Sequence, residues 1–123
     1  MPRPAFAFAV GLASLAALAP AEAGPCQVYP FRLVFAADSA TTMNAASGKD
    51  CPIVARSEEK FAIDSNEITI PPSHGGAKTK EKSGAYYRSN PGFRGGDNFA
   101  FTLCGSDKGK PGCSTVRVKV HVR

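Results

Sequence analysis

Three lysines at every second position, Lys78, Lys80 and Lys82, are the group in this sequence whose spacing most directly implies chemistry. On an extended chain, residues two apart point to the same side. The three ammonium groups would then form one cationic row. Arg88 and Arg94 follow, with Tyr86 just before them. Such a patch can grip phosphates or carboxylates by charge and hydrogen bonding. Glu81 interrupts the row. The alternative reading is a solvated edge strand whose charges block edge-to-edge aggregation.

The other candidates point to structure. His74 lies between Pro72 and the pair Gly75-Gly76, with no Ser, Cys or carboxylate spaced to complete a catalytic set. It is read as structural or solvated, and His121, on the polar face of the last strand, as solvated. Asp97 is read as locking a turn by accepting backbone N–H bonds. A calcium role needs six to eight oxygen ligands, and the sequence offers only Asp107 in another loop. No Gly-rich stretch is followed by the Lys-Ser/Thr and helix of a phosphate loop. No catalytic residue, metal or cofactor is expected, and the protein is not expected to be an enzyme.

The four cysteines are Cys26, Cys51, Cys104 and Cys113. Their spacings do not resemble paired zinc ligands. An even count behind an export signal reads as two disulfides in an oxidising compartment. Of three possible pairings, Cys26–Cys51 with Cys104–Cys113 is expected, because the second pair flanks a hairpin-like loop, GSDKGKPG.

Residues 1–23 carry that signal: Arg3, an apolar run AFAFAVGLASLAALA, and Ala21-Glu22-Ala23 before the expected cut at Gly24. The apolar run is short for a membrane span, which needs about 20 residues. No span is expected after cleavage, and the location is read as periplasmic or secreted. Residues 24–123 form one small domain. The chain has a net charge of +5, and the leader holds one base and one acid, so the domain keeps it. For an exported protein this excludes nucleic acid as the expected partner. It favours a protein or an anionic envelope component, such as lipid headgroups or acidic polysaccharide.

These residues must be positioned by strands. Glycine and proline, 12 and 10 of them, punctuate short apolar runs. VYPFRLVF (28–35) is read as a first strand, held to an edge by Pro30. The stretch 36–50 is small and polar and is read as a loop, with a short helix as the alternative. PIVAR (52–56), KFAID (60–64) and the alternation around Ile68 and Ile70 are three short strands. Pro71-Pro72 ends the last of them, and Gly75-Gly76 makes a turn. AYYR (85–88) comes next. Phe99, Phe101 and Leu103 share one face of a following strand. Val116, Val118, Val120 and Val122 alternate strictly with polar residues, which marks a half-buried antiparallel strand. Short strands between turn clusters predict a small antiparallel β-sandwich.

The stretch SNPGFRGGDNFAF (89–101) crosses between sheets. Asn90 and Pro91 start the turn, and Gly92, Gly95 and Gly96 permit positive φ. Phe93 is placed to plug the open end of the core. Tyr87 buries its ring with its hydroxyl near a backbone partner, and Asp97 locks the chain before Phe99 enters the next strand.

The pattern Tyr87-x-x-Asn90-Pro91-Gly92-Phe93-x-Gly95-x-Asp97-x-Phe99-x-Phe101, with the alternating valines after it and Pro72-Ser73-His74-Gly75 before it, resembles the C-terminal half of bacterial Ig-like/cadherin-like domains. The resemblance covers about residues 68–122. It implies an Ig-like sandwich, usually found as tandem repeats in surface proteins, and it implies no single role. The leading functional expectation is a non-catalytic binding or accessory module. The alternatives are an envelope protein that pairs through a sheet edge, or a small enzyme inhibitor or hydrolase, for which loss of turnover in His74→Ala would be the sign.

Overall fold

A computed structural model describes residues 26–123. The expected leader, residues 1–23, lies outside the described residues. The chain forms eight strands: β1 (Cys26–Val28), β2 (Ser39–Ala45), β3 (Cys51–Val54), β4 (Ala62–Ile70), β5 (Gly75–Lys80), β6 (Gly84–Ser89), β7 (Gly95–Asp107) and β8 (Lys110–Val122). They build a five-stranded sheet in the order β1-β2-β8-β7-β4 and a three-stranded sheet in the order β3-β6-β5. The expected all-β, two-sheet sandwich with two disulfides is what forms. The bridges are Cys26–Cys51 and Cys104–Cys113. Two disulfides fit an oxidising compartment, and no helix among the described residues is long and apolar enough to cross a membrane.

The alternation read in the sequence drives this architecture. Val116, Val118, Val120 and Val122 on β8 are all buried, and so are Phe99, Phe101 and Leu103 on β7. From the other sheet, Ile53, Ala85 and Tyr87 pack into the same core cluster. The outer faces of the two sheets therefore lie on opposite sides of the molecule. β7 and β8 join through a two-residue turn, with Asp107 paired to Lys110 and positive φ at Lys108 (49°) and Gly109 (81°). Two successive left-handed residues match the twist of a tight hairpin. The GSDKGKPG stretch is thus mostly strand, and the turn is shorter than the sequence indicates.

Several expectations are corrected. The sandwich is not wholly antiparallel, because β2 runs parallel to β8 from Ser39↔Val116 to Ala45↔Val122. β2 itself lies in the stretch read as a loop. Thr41, Met43 and Ala45 turn inward and are buried, so a segment whose one large apolar residue is Met43 becomes a strand by pairing with β8. The expected strand at 28–35 stops at Val28. Pro30 has no N–H to donate, and the chain then winds irregularly, burying Leu33 and bonding its N–H to the Arg56 carbonyl (2.9 Å). The segments around KFAID and around Ile68 merge into one strand, β4, with register shifts between Ile63 and Ser65 and between Ile68 and Ile70. Gly75 and Gly76 do not make a turn. They open β5, paired with Ser89 and Arg88, and the chain crosses between sheets just before them.

Three crossings between the sheets cluster at one end of the molecule: residues 46–50, 71–74 and 90–94. Asp97, near the start of β7, reaches back to the second of them. Its buried carboxylate accepts four hydrogen bonds, from the N–H groups of Ser73 (2.9 Å), His74 (3.1 Å) and Asn98 (2.9 Å) and from the Tyr87 hydroxyl (2.9 Å). The backbone N–H groups it holds belong to the 71–74 crossing and to Asn98, rather than to the 90–96 turn expected from the sequence. The Tyr87 hydroxyl finds this carboxylate rather than a backbone partner. Burial acts to raise the Asp97 pKa, but the hydrogen bonds from Ser73, Asn98, Tyr87 and His74 outweigh it and leave the group below the usual aspartate value. Burial, followed by the bond to Asp97 and its charge, raises Tyr87 well above the usual tyrosine value.

Asn90 donates its N–H to the His74 carbonyl (2.8 Å), and the Phe93 N–H closes the turn on the Asn90 carbonyl (3.1 Å). Pro91 precedes Gly92, which supplies a φ of 84°. Gly95 is also left-handed (138°), whereas Gly96 has no positive φ. Phe93 is partly buried against the core and stacks on the His74 ring, with centroids 4.2 Å apart. Phe99 lies deep in the core, stacked on Tyr87 at 5.5 Å.

Candidate binding face

Pairing puts opposite residues on the same face of a sheet. On the three-stranded sheet, Lys78 pairs with Tyr86, Gly76 with Arg88 and Lys80 with Gly84. Ala85, Tyr87 and Ser89 are buried, while Tyr86 and Arg88 face outward. Lys78, Lys80, Tyr86 and Arg88 therefore share the outer face, and the Lys80 ammonium lies 5.8 Å from the Tyr86 ring centroid. A cation at that distance over an aromatic face is attracted by the ring quadrupole.

Two members of the expected cluster are elsewhere. Lys82 lies beyond the end of β5, in the turn leading to β6, so the period-two row of lysines breaks at the strand end. Arg94 is in the crossing between β6 and β7, at the other end of β6 from Lys82. Neither joins the Lys78–Arg88 face. Arg117 and Lys119 of β8 point outward from the five-stranded sheet, on the opposite side of the sandwich, and Arg123 is exposed just past the end of that strand. They do not extend the patch.

What the sheet adds is a wall. The loop after β2 folds down beside β6 and is pinned there: the Gly48 N–H donates to the buried Ser89 hydroxyl (2.9 Å), and Arg88 Nε donates to the Gly48 carbonyl (2.9 Å). Asp50 Oδ1 lies 3.7 Å from Arg88 Nε. A concavity of ≈ 600 Å³ opens between this loop, the Asn90-Pro91 turn and the strands, lined among others by Asp50, Gly76, Lys78, Tyr86 and Arg88. Gly76 matters by what it lacks. A Cβ there would meet nothing within 4 Å, so the position opposite Arg88 is open space. Arg88 makes its recorded contacts through Nε, and among the described residues no hydrogen bond or ion pair uses Nη1 or Nη2.

Sequence reasoning found Lys78, Lys80, Tyr86 and Arg88 but not Asp50, Gly48 or Gly76. Asp50 reaches Arg88 across 38 positions of chain, and no short-range pattern announces that. The glycine pair was visible, but it reads as a turn wherever strand pairing is unknown.

The remaining candidates are structural in their contacts. Each oxygen of the Asp97 carboxylate already accepts two hydrogen bonds, Oδ1 from Ser73 and Asn98 and Oδ2 from His74 and Tyr87. Asp107 lies in the β7–β8 turn region, and His121 is exposed on β8. Among the described residues no group of three or more His, Cys, Asp and Glu is arranged to hold a metal ion. The chain matches no family model and no curated protein.

Proposed function

We propose that this protein is a secreted or periplasmic, non-catalytic binding module of the Ig-like/cadherin-like kind. It recognises a protein or an anionic component of the cell envelope through the outer face of its three-stranded sheet. The supporting observation is the placement of Lys78, Lys80, Tyr86 and Arg88 on that one face, beside a walled concavity. The groups there are two lysines, one exposed arginine held through its Nε, and an aromatic ring. Such a set attracts and orients an anion; its chemistry is recognition.

The test is retention of envelope components on the immobilised oxidised protein at low and high salt, beside a Lys78→Gln/Lys80→Gln/Arg88→Gln variant. Charge-led binding fades as the screening length falls from about 8 Å at physiological salt to about 3 Å at 1 M. A component held by the wild type, released by salt and missed by the variant supports the reading. Equal retention by both proteins sinks it.

A second reading, an envelope protein that pairs through a sheet edge, is favoured by β5, an edge strand that among the described residues has β6 as its one ladder partner. Pairing of that kind would survive salt and fail when a proline is placed in β5.

A further inference from the structure

We propose that the concavity beside Tyr86 is a site for an acidic saccharide, a pyranose carrying a carboxylate. This rests on the anionic-binding reading above and narrows it to one ligand class. The walls offer both signs of hydrogen-bonding group. Lys78 and Arg88 are cationic donors, whereas Asp50 is an acceptor held 3.7 Å from Arg88. A ligand that is anionic all over, such as polyphosphate, would meet Asp50 as repulsion. A uronic acid brings a carboxylate for the arginine fork, where two parallel N–H···O bonds form with the outer nitrogens. It also brings hydroxyls that donate to Asp50. Tyr86, partly exposed, supplies a flat apolar surface for the C–H face of the ring. Gly76 leaves the floor open opposite Arg88. The wall is fixed before any ligand arrives, by Gly48 N–H to Ser89 and Arg88 Nε to the Gly48 carbonyl, so little ordering is required on binding.

Calorimetric titration of the oxidised protein tests this with oligomers of galacturonate, mannuronate and sialic acid, against neutral malto-oligosaccharides, polyglutamate and polyphosphate. At least one acidic glycan is expected to bind at least about tenfold more tightly than any comparator, the size of one hydrogen bond to a charged group. Gly76→Val fills the floor without changing charge. Tyr86→Ala removes the platform. Each should weaken that glycan about tenfold or more, while Lys119→Gln on the opposite face leaves it unchanged. Asp50→Asn gives the sharpest sign. It removes a negative charge, so a general polyanion site would bind more tightly, whereas the saccharide site should bind its glycan more weakly. Retained circular dichroism and retained disulfides show that each variant is folded. The proposal is overturned if no acidic glycan exceeds polyglutamate and polyphosphate, if Gly76→Val binds as well as the wild type, or if Asp50→Asn binds more tightly. Should the polyanions bind and weaken in Arg88→Gln while Gly76→Val has no effect, the saccharide assignment falls and the anionic-binding function stands. If no anion binds at all, both fall.

Discussion

At the scale of single residues, Asp97 joins parts of the chain that are distant in sequence. Its carboxylate holds the 71–74 crossing, the start of β7 and a buried tyrosine. In Asp97→Asn, one of the two oxygens becomes an NH₂ group that faces donors. We expect a loss of about 2–3 kcal/mol, in the range for a hydrogen-bonded charge that loses its partners, measured by urea unfolding. The pH dependence follows from the two shifted groups. Asp97 is lowered in the folded protein, so its contribution is present above the ordinary aspartate value of about 3.9 and lost as pH falls through the lowered folded value. Tyr87 is raised, so its contribution is complete below about 10 and lost as pH rises through the raised folded value. Tyr87→Phe should therefore remove the alkaline part of the stability profile and keep most of the acid part. Equal alkaline loss in wild type and Tyr87→Phe would show that the hydroxyl does not carry it.

At the scale of elements, the well-read strands are those whose side chains carry the pattern themselves. β8 alternates valine with polar residues along its buried half, and β7 alternates around its phenylalanines, so a core face was legible in each. β2 was not legible. Thr41, Met43 and Ala45 become a buried row only because β8 lies alongside. The lysine row was legible as far as Lys80 and misleading at Lys82, since period two continues in the sequence after the strand has ended. In the candidate site, the residues on β5 and β6 could be read, while the loop that walls them could not.

Glycines carry a related ambiguity that an experiment resolves. At Gly84 a Cβ would overlap the Ile53 carbonyl of the neighbouring strand, but at Gly76 it would meet nothing. Gly84→Ala is expected to destabilise by about 1–3 kcal/mol through overpacking between β3 and β6. Gly76→Ala should change stability by less than about 0.5 kcal/mol. Thermal melts of the two variants make the comparison.

At the scale of the whole molecule, the two disulfides do different work. Cys104 and Cys113 are direct partners across the β7–β8 ladder, with Cα atoms 4.0 Å apart and nine positions of chain between them. The hairpin already holds them together. Cys26 and Cys51 join β1, at the edge of one sheet, to β3, at the edge of the other, across 25 positions. Chain entropy alone gives about 3.5 kcal/mol for the longer loop and about 2.6 kcal/mol for the shorter. Cys26→Ala/Cys51→Ala should thus lower stability more than Cys104→Ala/Cys113→Ala in denaturant titrations. The reverse order would mean that the hairpin, not the link between sheets, is the weak point of the fold.

The parallel pairing of β2 with β8 also sets when this chain can fold. β8 lies at the centre of its sheet, between β2 and β7, yet it is the last of the eight strands to leave the ribosome. Until it arrives, β2 has only the three-residue β1 beside it, and the buried faces of β2 and β7 have no strand between them. The five-stranded sheet cannot close before β8 has emerged, and its long-range pairing makes closure slow. A change that removes only β8 takes away the strand around which the rest assembles.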